Sequence, residues 1–288
     1  MPDIPLAPKV FDRALIGRHL RRRPPGHDDF VTRLLLADLE ERLGTVTRTF
    51  EQALIMSPDA SVLPRTGRSA DGPFRYERVS TVLPATGAPL VDPEILDLPR
   101  RGYDLIVSLF DLDVVDDVPG FLARARAHLR GDGLFLAAAI GGESLTELRE
   151  AFLTADAQLS GGAFLRVAPF IPLSAAAGLL QRAGLALPVS DVETHIVRYE
   201  APLSLMRELK ELGASNPLAD RPHKMATLSL IKAASAAYEA LASDSDGRVR
   251  ATLEIVWLSG WAPHESQQKP LKPGSAQVSL AQVLKTKN

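Results

Sequence analysis

Four carboxylates, Asp111, Asp113, Asp116 and Asp117, fall within seven residues, close enough to hold a cation or supply a general base. Asp117, two residues before Pro119, is also placed to cap a helix, and capping is its simpler role. A second group is Gly141-Gly142-Glu143-Ser144-Leu145-Thr146-Glu147-Leu148-Arg149. Its Ser144 to Glu147 spacing is that of a capping box, which accounts for both residues structurally. Gly141, Gly142, Glu143 and Arg149 are left over and are expected on a partner or substrate surface, with Arg149 as a carboxylate anchor or stacking group. A third group is His264-Glu265, which could be read as a metal pair for oxygen chemistry. Adjacent residues on an extended segment point to opposite faces, however, and no second His-x-Asp/Glu pattern accompanies them among the six histidines. No metal site is therefore expected, and His264 and Glu265 are assigned to ordering the tail or meeting a partner.

The elements that must position these groups centre on Tyr103 to Arg149. Asp104 to Phe110 and Leu134 to Ile140 are short apolar runs with turn residues behind them, as in buried parallel strands. Between them Phe121, Leu122, Ala125 and Leu129 recur at helical spacing, with Asp117 to start the helix and Gly131 to end it. This βαβ unit implies an open, Rossmann-like parallel sheet with helices on both faces, whose ligands sit beyond the carboxyl ends of the strands. The loops beginning at Asp111 and Gly141 are then the first places to look for function. Upstream, Asp29 to Leu43 has an amphipathic pattern. Arg18 and Arg21 to Arg23 read as the solvated basic edge of an N-terminal helix. Downstream the order is strand, helix, helix, strand: Ser190 to Tyr199, Pro202 to Leu212, Met225 to Leu241 and Ala251 to Trp261.

The run YDLIVS, a loop ending in Asp-Val-Pro, a helix, then GDGLFLAA and GGESLTELR, resembles the fourth and fifth strands of class I S-adenosylmethionine (SAM) dependent methyltransferases. More narrowly it is similar to the methyltransferase-like complex I assembly factors, whose mitochondrial members are protein arginine hydroxylases. The Phe11-Asp12-Arg13 opening, Gly213 to Pro217, Trp261 to Gln267 and Gly274-Ser275-Ala276 carry the same resemblance, so it covers about Phe11 to Leu280, interrupted between residues 50 and 90.

The resemblance implies a SAM site whose positions here are Ser57, Asp59, Asp92 and Asp111. The family's first turn reads Asp-x-Gly-x-Gly, but this chain has Ile55-Met56-Ser57-Pro58-Asp59-Ala60, without a glycine. Pro58 lacks an N–H and Asp59 sets a negative charge where the methionine carboxylate would sit, so weakened or lost SAM binding is expected. The helix that follows the first strand in the family is not evident. Asp92 corresponds to the position that contacts adenine, with an ordinary turn as its alternative role, and Glu77 is a candidate ribose ligand. Asp113 and Val114 stand where the family often has a histidine and an aromatic residue.

Composition sets the outer bounds. The 288 residues are 45% hydrophobic, ample for a core, and a net charge of −2 gives no general reason to expect nucleic-acid binding. The absence of cysteine excludes disulfides and thiolate chemistry and suits a cytoplasmic setting, and no apolar run approaches a membrane span. The division expected is an N-terminal helical segment 1–45, a methyltransferase-like domain 46–265 with a helical insertion at about 200–245, and a tail 266–288 that carries four lysines in its last twenty residues. Function then falls to one of two classes. One is a binding module that engages a protein, by resemblance a respiratory complex I subunit, as a pseudoenzyme. The other is an active SAM-dependent methyltransferase or protein arginine hydroxylase.

Overall fold

The computed structural model describes residues 9–24, 29–223 and 225–268. Seven strands form one twisted sheet: β1 Ala53–Asp59, β2 Thr66–Ser69, β3 Gly72–Leu83, β4 Tyr103–Leu109, β5 Leu129–Ile140, β6 Ala186–Tyr199 and β7 Val249–Trp261. Their spatial order is β2-β3-β1-β4-β5-β7-β6. β3, β1, β4 and β5 are parallel, β7 runs against both of its neighbours, and β2 forms an antiparallel hairpin with β3. The helices are α1 Arg13–Arg21, α2 Phe30–Gly44, α3 Val118–His128, α4 Thr146–Ser160, α5 Leu173–Arg182, α6 Pro202–Glu211 and α7 Leu228–Ala242.

Strand alternation divides the core between the two faces of the sheet. Leu54, Met56, Ile106, Phe135 and Leu258 pack on the side of α3 and α5, with Phe121, Leu122 and Leu180. Ile55, Leu105, Val107, Leu136 and Trp257 pack on the other, under Leu35, Leu39 and Leu43 of α2. The segment expected to stand ahead of the domain therefore supplies a core helix. Between β6 and β7 stand α6 and α7. With α4 they build a separate cluster around Leu148, Leu205 and Tyr238.

One local expectation is corrected and one is met. Gly131 does not end the βαβ helix: α3 stops at His128 and β5 starts at the next residue, so Gly131 lies inside the strand. The Cβ of any other residue there would meet the His264 ring at 2.6 Å, a close approach that explains the glycine better than a helix cap does. The crossover from β1 to β3 contains no α-helix, as the sequence suggested. A short 3-10 turn, Ala60–Val62, leads straight into the β2–β3 hairpin.

Candidate functional site

The strand order reverses between β1 and β4, and ligands in open α/β sheets bind outside such a reversal. A cavity of about 770 Å³ lies there, over the carboxyl ends of β1, β4 and β5 and beneath residues of α1, α6 and α7. Its walls are mainly apolar, including Leu20, Phe30, Phe110, Leu148, Phe152 and Met206. Phe110 at φ 67° and Leu145 at φ 55° hold left-handed conformations that side chains avoid. Both stand where a parallel strand leaves the sheet for the cavity, and such strain persists only where surrounding packing enforces it.

The turn after β1 reaches this cavity through Ser57, Pro58 and Asp59. Ser57 Oγ accepts the Asp59 N–H at 3.1 Å and donates to the Asp59 carbonyl at 2.9 Å. The Ala60 N–H goes to Ser80 Oγ at 3.1 Å, and the Ser61 N–H to Asp59 Oδ1 at 2.9 Å. Pro58 has none to give, so the turn's N–H groups from residue 58 to residue 61 are all absent or engaged within the chain. Asp59 is only 6% exposed, and its carboxylate is met by the guanidinium of Arg23, which also lies 3.6 Å from Asp29. Arg23 was expected on a solvated edge. The Arg21-Arg22-Arg23 run hinted at a buried partner no more than at a basic surface, because only folding brings residue 23 to residue 59.

Of the carboxylates after β4, each has a different task. Asp111 is fully buried and accepts hydrogen bonds from Thr81 Oγ1 at 2.5 Å and Ser108 Oγ at 2.7 Å. Burial pushes its carboxyl up to about 7 against the pull of those two hydroxyls. Asp113 opens onto the cavity and accepts the Ile140 N–H at 3.2 Å. Desolvation raises it to about 8, the Ile140 N–H opposes this, and the Asp111 charge adds to it. Asp116 accepts the N–H groups of Val10 and Phe11, both at 2.9 Å, and Asp117 caps α3 through the Gly120 N–H at 2.9 Å. The capping expectation for Asp117 therefore stands, and the cation expectation narrows: among the described residues no group of three or more acidic or histidine side chains could hold a metal.

Asp92 takes the turn-forming role rather than a place at the cavity, since its carboxylate is half-exposed and accepts the Glu94 N–H at 2.9 Å. Glu77 lies toward the amino end of β1, level with Leu54, and pairs with Tyr103 and Arg100, so it cannot serve a ligand at the opposite edge.

The segment after β5 is held by β7. Gly141 lies so close to Glu254 that a Cβ there would meet its side chain at 2.6 Å, and the Glu143 N–H donates to Glu254 Oε2 at 2.9 Å. The Gly142 N–H reaches the Ile171 carbonyl at 3.1 Å. Ser144 and Glu147 do not form a capping box. Ser144 Oγ donates to the Glu254 carbonyl and accepts its N–H at 2.8 Å, while the Glu147 carboxylate accepts the Thr252 hydroxyl at 2.6 Å. Thr146 starts α4 after a left-handed Leu145 with no side-chain cap. The Arg149 guanidinium folds back onto its own helix start, 3.3 Å from the Ser144 carbonyl, and Glu143 stays exposed.

His264 and Glu265 do not share a surface with Gly141 to Arg149. Trp261 pairs with Leu134 in the first half of β5 whereas Ile255 pairs with Ile140 at its end, about 20 Å away at 3.3 Å per residue. His264 packs over Gly131 there, its Nδ1 2.8 Å from Ser266 Oγ. The basic tail expected to join this surface, with Lys269, Lys272 and Gly274-Ser275-Ala276, lies outside the described residues. No helix among the described residues is long and apolar enough to cross a membrane.

No protein-family model matches the chain. The rat protein (Rattus norvegicus) named "Arginine-hydroxylase NDUFAF5, mitochondrial" is 33% identical over 293 residues, covering 97% of this chain and 85% of the rat protein. The zebrafish (Danio rerio) protein of that name is 34% identical over 196 residues, 68% of this chain, and the match spans less than two thirds of the zebrafish protein, 61%. A "Malonyl-[acyl-carrier protein] O-methyltransferase" of Laribacter hongkongensis is 33% identical over 183 residues, 64% of this chain and 59% of the relative.

Proposed function

This chain belongs to the NDUFAF5 arginine-hydroxylase family of methyltransferase-fold proteins, and we propose that it acts on a protein partner in respiratory complex I assembly, without a working SAM site at its first strand. The observation that carries the reading is the self-contained turn after β1. A SAM turn offers free N–H groups at a helix N-terminus to the methionine carboxylate. Here only a single 3-10 turn and no α-helix follows β1, the N–H groups are engaged, and Asp59 is met by Arg23. These residues do not fit the cofactor in the family's manner, and no methyl-transfer step is assigned to the chain.

The protein partner is supported by the surface beside the cavity. Ser144, Leu145 and Leu148 line it, Glu143 is exposed, and Leu165 and Met225, the chain neighbours of the lining residues Arg166 and Ala226, and Leu228 present apolar side chains that are 61%, 92% and 71% exposed. Exposed apolar groups of this size beside polar ones suit a docking surface. His264 and Glu265 at the other edge would meet a separate part of the partner. A cytoplasmic setting is part of this proposal, resting on the cysteine-free composition, while the relatives' names place those proteins in mitochondria. The test is affinity capture from the native host with wild type, Glu143→Ala and Arg149→Ala. Loss of a complex I subunit from both variants is expected, and its retention by both would overturn the assignment of this surface.

One observation favours an active methyltransferase or hydroxylase instead: a cavity of about 770 Å³ is within the range that small ligands and cofactors occupy. Specific binding of SAM in calorimetry would establish that reading over the first.

A further inference from the structure

We propose that the cavity above β1, β4 and β5 binds an elongated, uncharged apolar molecule through its carbonyl oxygen, which takes a hydrogen bond from the carboxyl of Asp113. This goes beyond the protein-partner function and does not depend on whether SAM can occupy the same space.

The walls set the body of the ligand. Leu20, Phe30, Phe110, Leu148, Phe152 and Met206 offer it hydrocarbon from five different parts of the chain, and a side chain of a docked protein would fill only a fraction of about 770 Å³. The arginines around the cavity are spent elsewhere, which leaves its interior to uncharged head groups. Arg23 is held by Asp59 and Asp29. Arg166 is clamped by both oxygens of Asp156 at 2.7 Å, with the rings of Phe152 and Phe164 each 5.6 Å away. Arg221 lies 3.3 Å from Asp12, and Lys210 is exposed at the rim. Tyr199 faces Glu208, and Asp111 beneath the floor is satisfied by Thr81 and Ser108.

Lys210 at the open rim apart, Asp113 is what remains. Among the described residues no ion pair reaches it, and its two oxygens share a single N–H, that of Ile140, at 3.2 Å each, so a proton on the acid meets no acceptor of its own in the chain. A carboxyl raised to about 8 is protonated at neutral pH, so it presents an O–H rather than a charge. Such a group selects a carbonyl acceptor over an ammonium or guanidinium, and the apolar walls select a hydrocarbon body.

The experiment is calorimetric titration of the full chain with 2-dodecanone, with dodecylamine as the cationic counterpart, at pH 6.5 and pH 9. Wild type is expected to bind the ketone about tenfold more tightly at the lower pH, since a group titrating near 8 is about nine-tenths deprotonated at pH 9. Asp113→Leu should lose about tenfold at pH 6.5, whereas Asp113→Asn keeps a donor and should retain most of the affinity with no pH dependence. Met206→Trp fills the cavity and should abolish binding, with its melting temperature as the check on folding. Absence of ketone binding to wild type overturns the proposal, as does equal binding to Asp113→Leu or a preference for the amine that grows with pH. SAM forms a separate arm. If neither SAM nor the ketone binds, the ligand class falls and the lost-cofactor reading stands. If SAM displaces bound ketone, the ligand class stands and the lost-cofactor reading falls.

Discussion

Asp111 and Asp113 are two residues apart on one short turn, yet one lies sealed beneath the cavity floor and the other opens onto it. Both carboxyls titrate higher folded than unfolded, at about 7 and about 8, because desolvation disfavours their charged forms. A group raised in this way holds more protons folded than unfolded, so its contribution to stability is complete below the unfolded value and is lost as pH rises through the folded one. Wild type should therefore lose stability between about pH 4 and pH 8, and the double variant Asp111→Asn/Asp113→Asn should flatten that slope. Denaturant midpoints across the window check this, and an unchanged slope would contradict the burial argument. Arg23 poses the complementary case. Removing it with Arg23→Ala strands a nearly buried Asp59 carboxylate and should cost about 3 kcal/mol, with Asp59→Asn restoring part of the loss. Equal stability of the single and double variants in urea would show that the pair is not holding the turn.

Among the elements, α3 and α4 begin in different ways. α3 starts as its sequence indicates, with Asp117 accepting the Gly120 N–H and Pro119 in the first turn, and Asp117→Ala should cost about 1 kcal/mol. α4 has the sequence of a capping box but is anchored sideways, through Ser144 and Glu147 to β7. Ser144→Ala would leave the backbone N–H of Glu254 without its partner inside a buried contact, and a cost of about 2 kcal/mol is expected. A capping role would instead confine the loss to the first turn of α4, so hydrogen exchange along β7 distinguishes the two. Protection should fall at Thr252 to Ile255 if the strand contact is what matters.

For the whole molecule the question is what the carboxyl edge of the sheet still binds. A ligand that binds only the folded state at about 100 times its Kd stabilises it by about 2.7 kcal/mol. SAM at that excess over a micromolar Kd should leave the melting temperature of wild type unmoved, and a clear rise would sink the proposed loss of the site. The same edge carries Gly141 to Arg149, while His264 and Glu265 lie at the other. Variants at the two places should therefore impair partner binding additively if both take part, since distant sites couple weakly.

Much of this architecture was written locally. The 3.6-residue repeat of α2, the paired apolar runs of β4 and β5 and the order of the last four elements are properties of neighbours in the chain, and they fixed the sheet and its cap. The missing glycines and helix after β1 were equally plain, because turn chemistry depends on a few consecutive residues. The tertiary structure decided everything that joins distant positions. It brought Arg23 to Asp59, turned Ser144 and Glu147 from a cap into a tether, and sent Trp261 to Glu265 to the far edge. It also set Asp113 on an apolar cavity, where desolvation raises its carboxyl. A residue's type states which bonds it can make, but its protonation and its partner depend on which surfaces close over it, and those come from other parts of the chain.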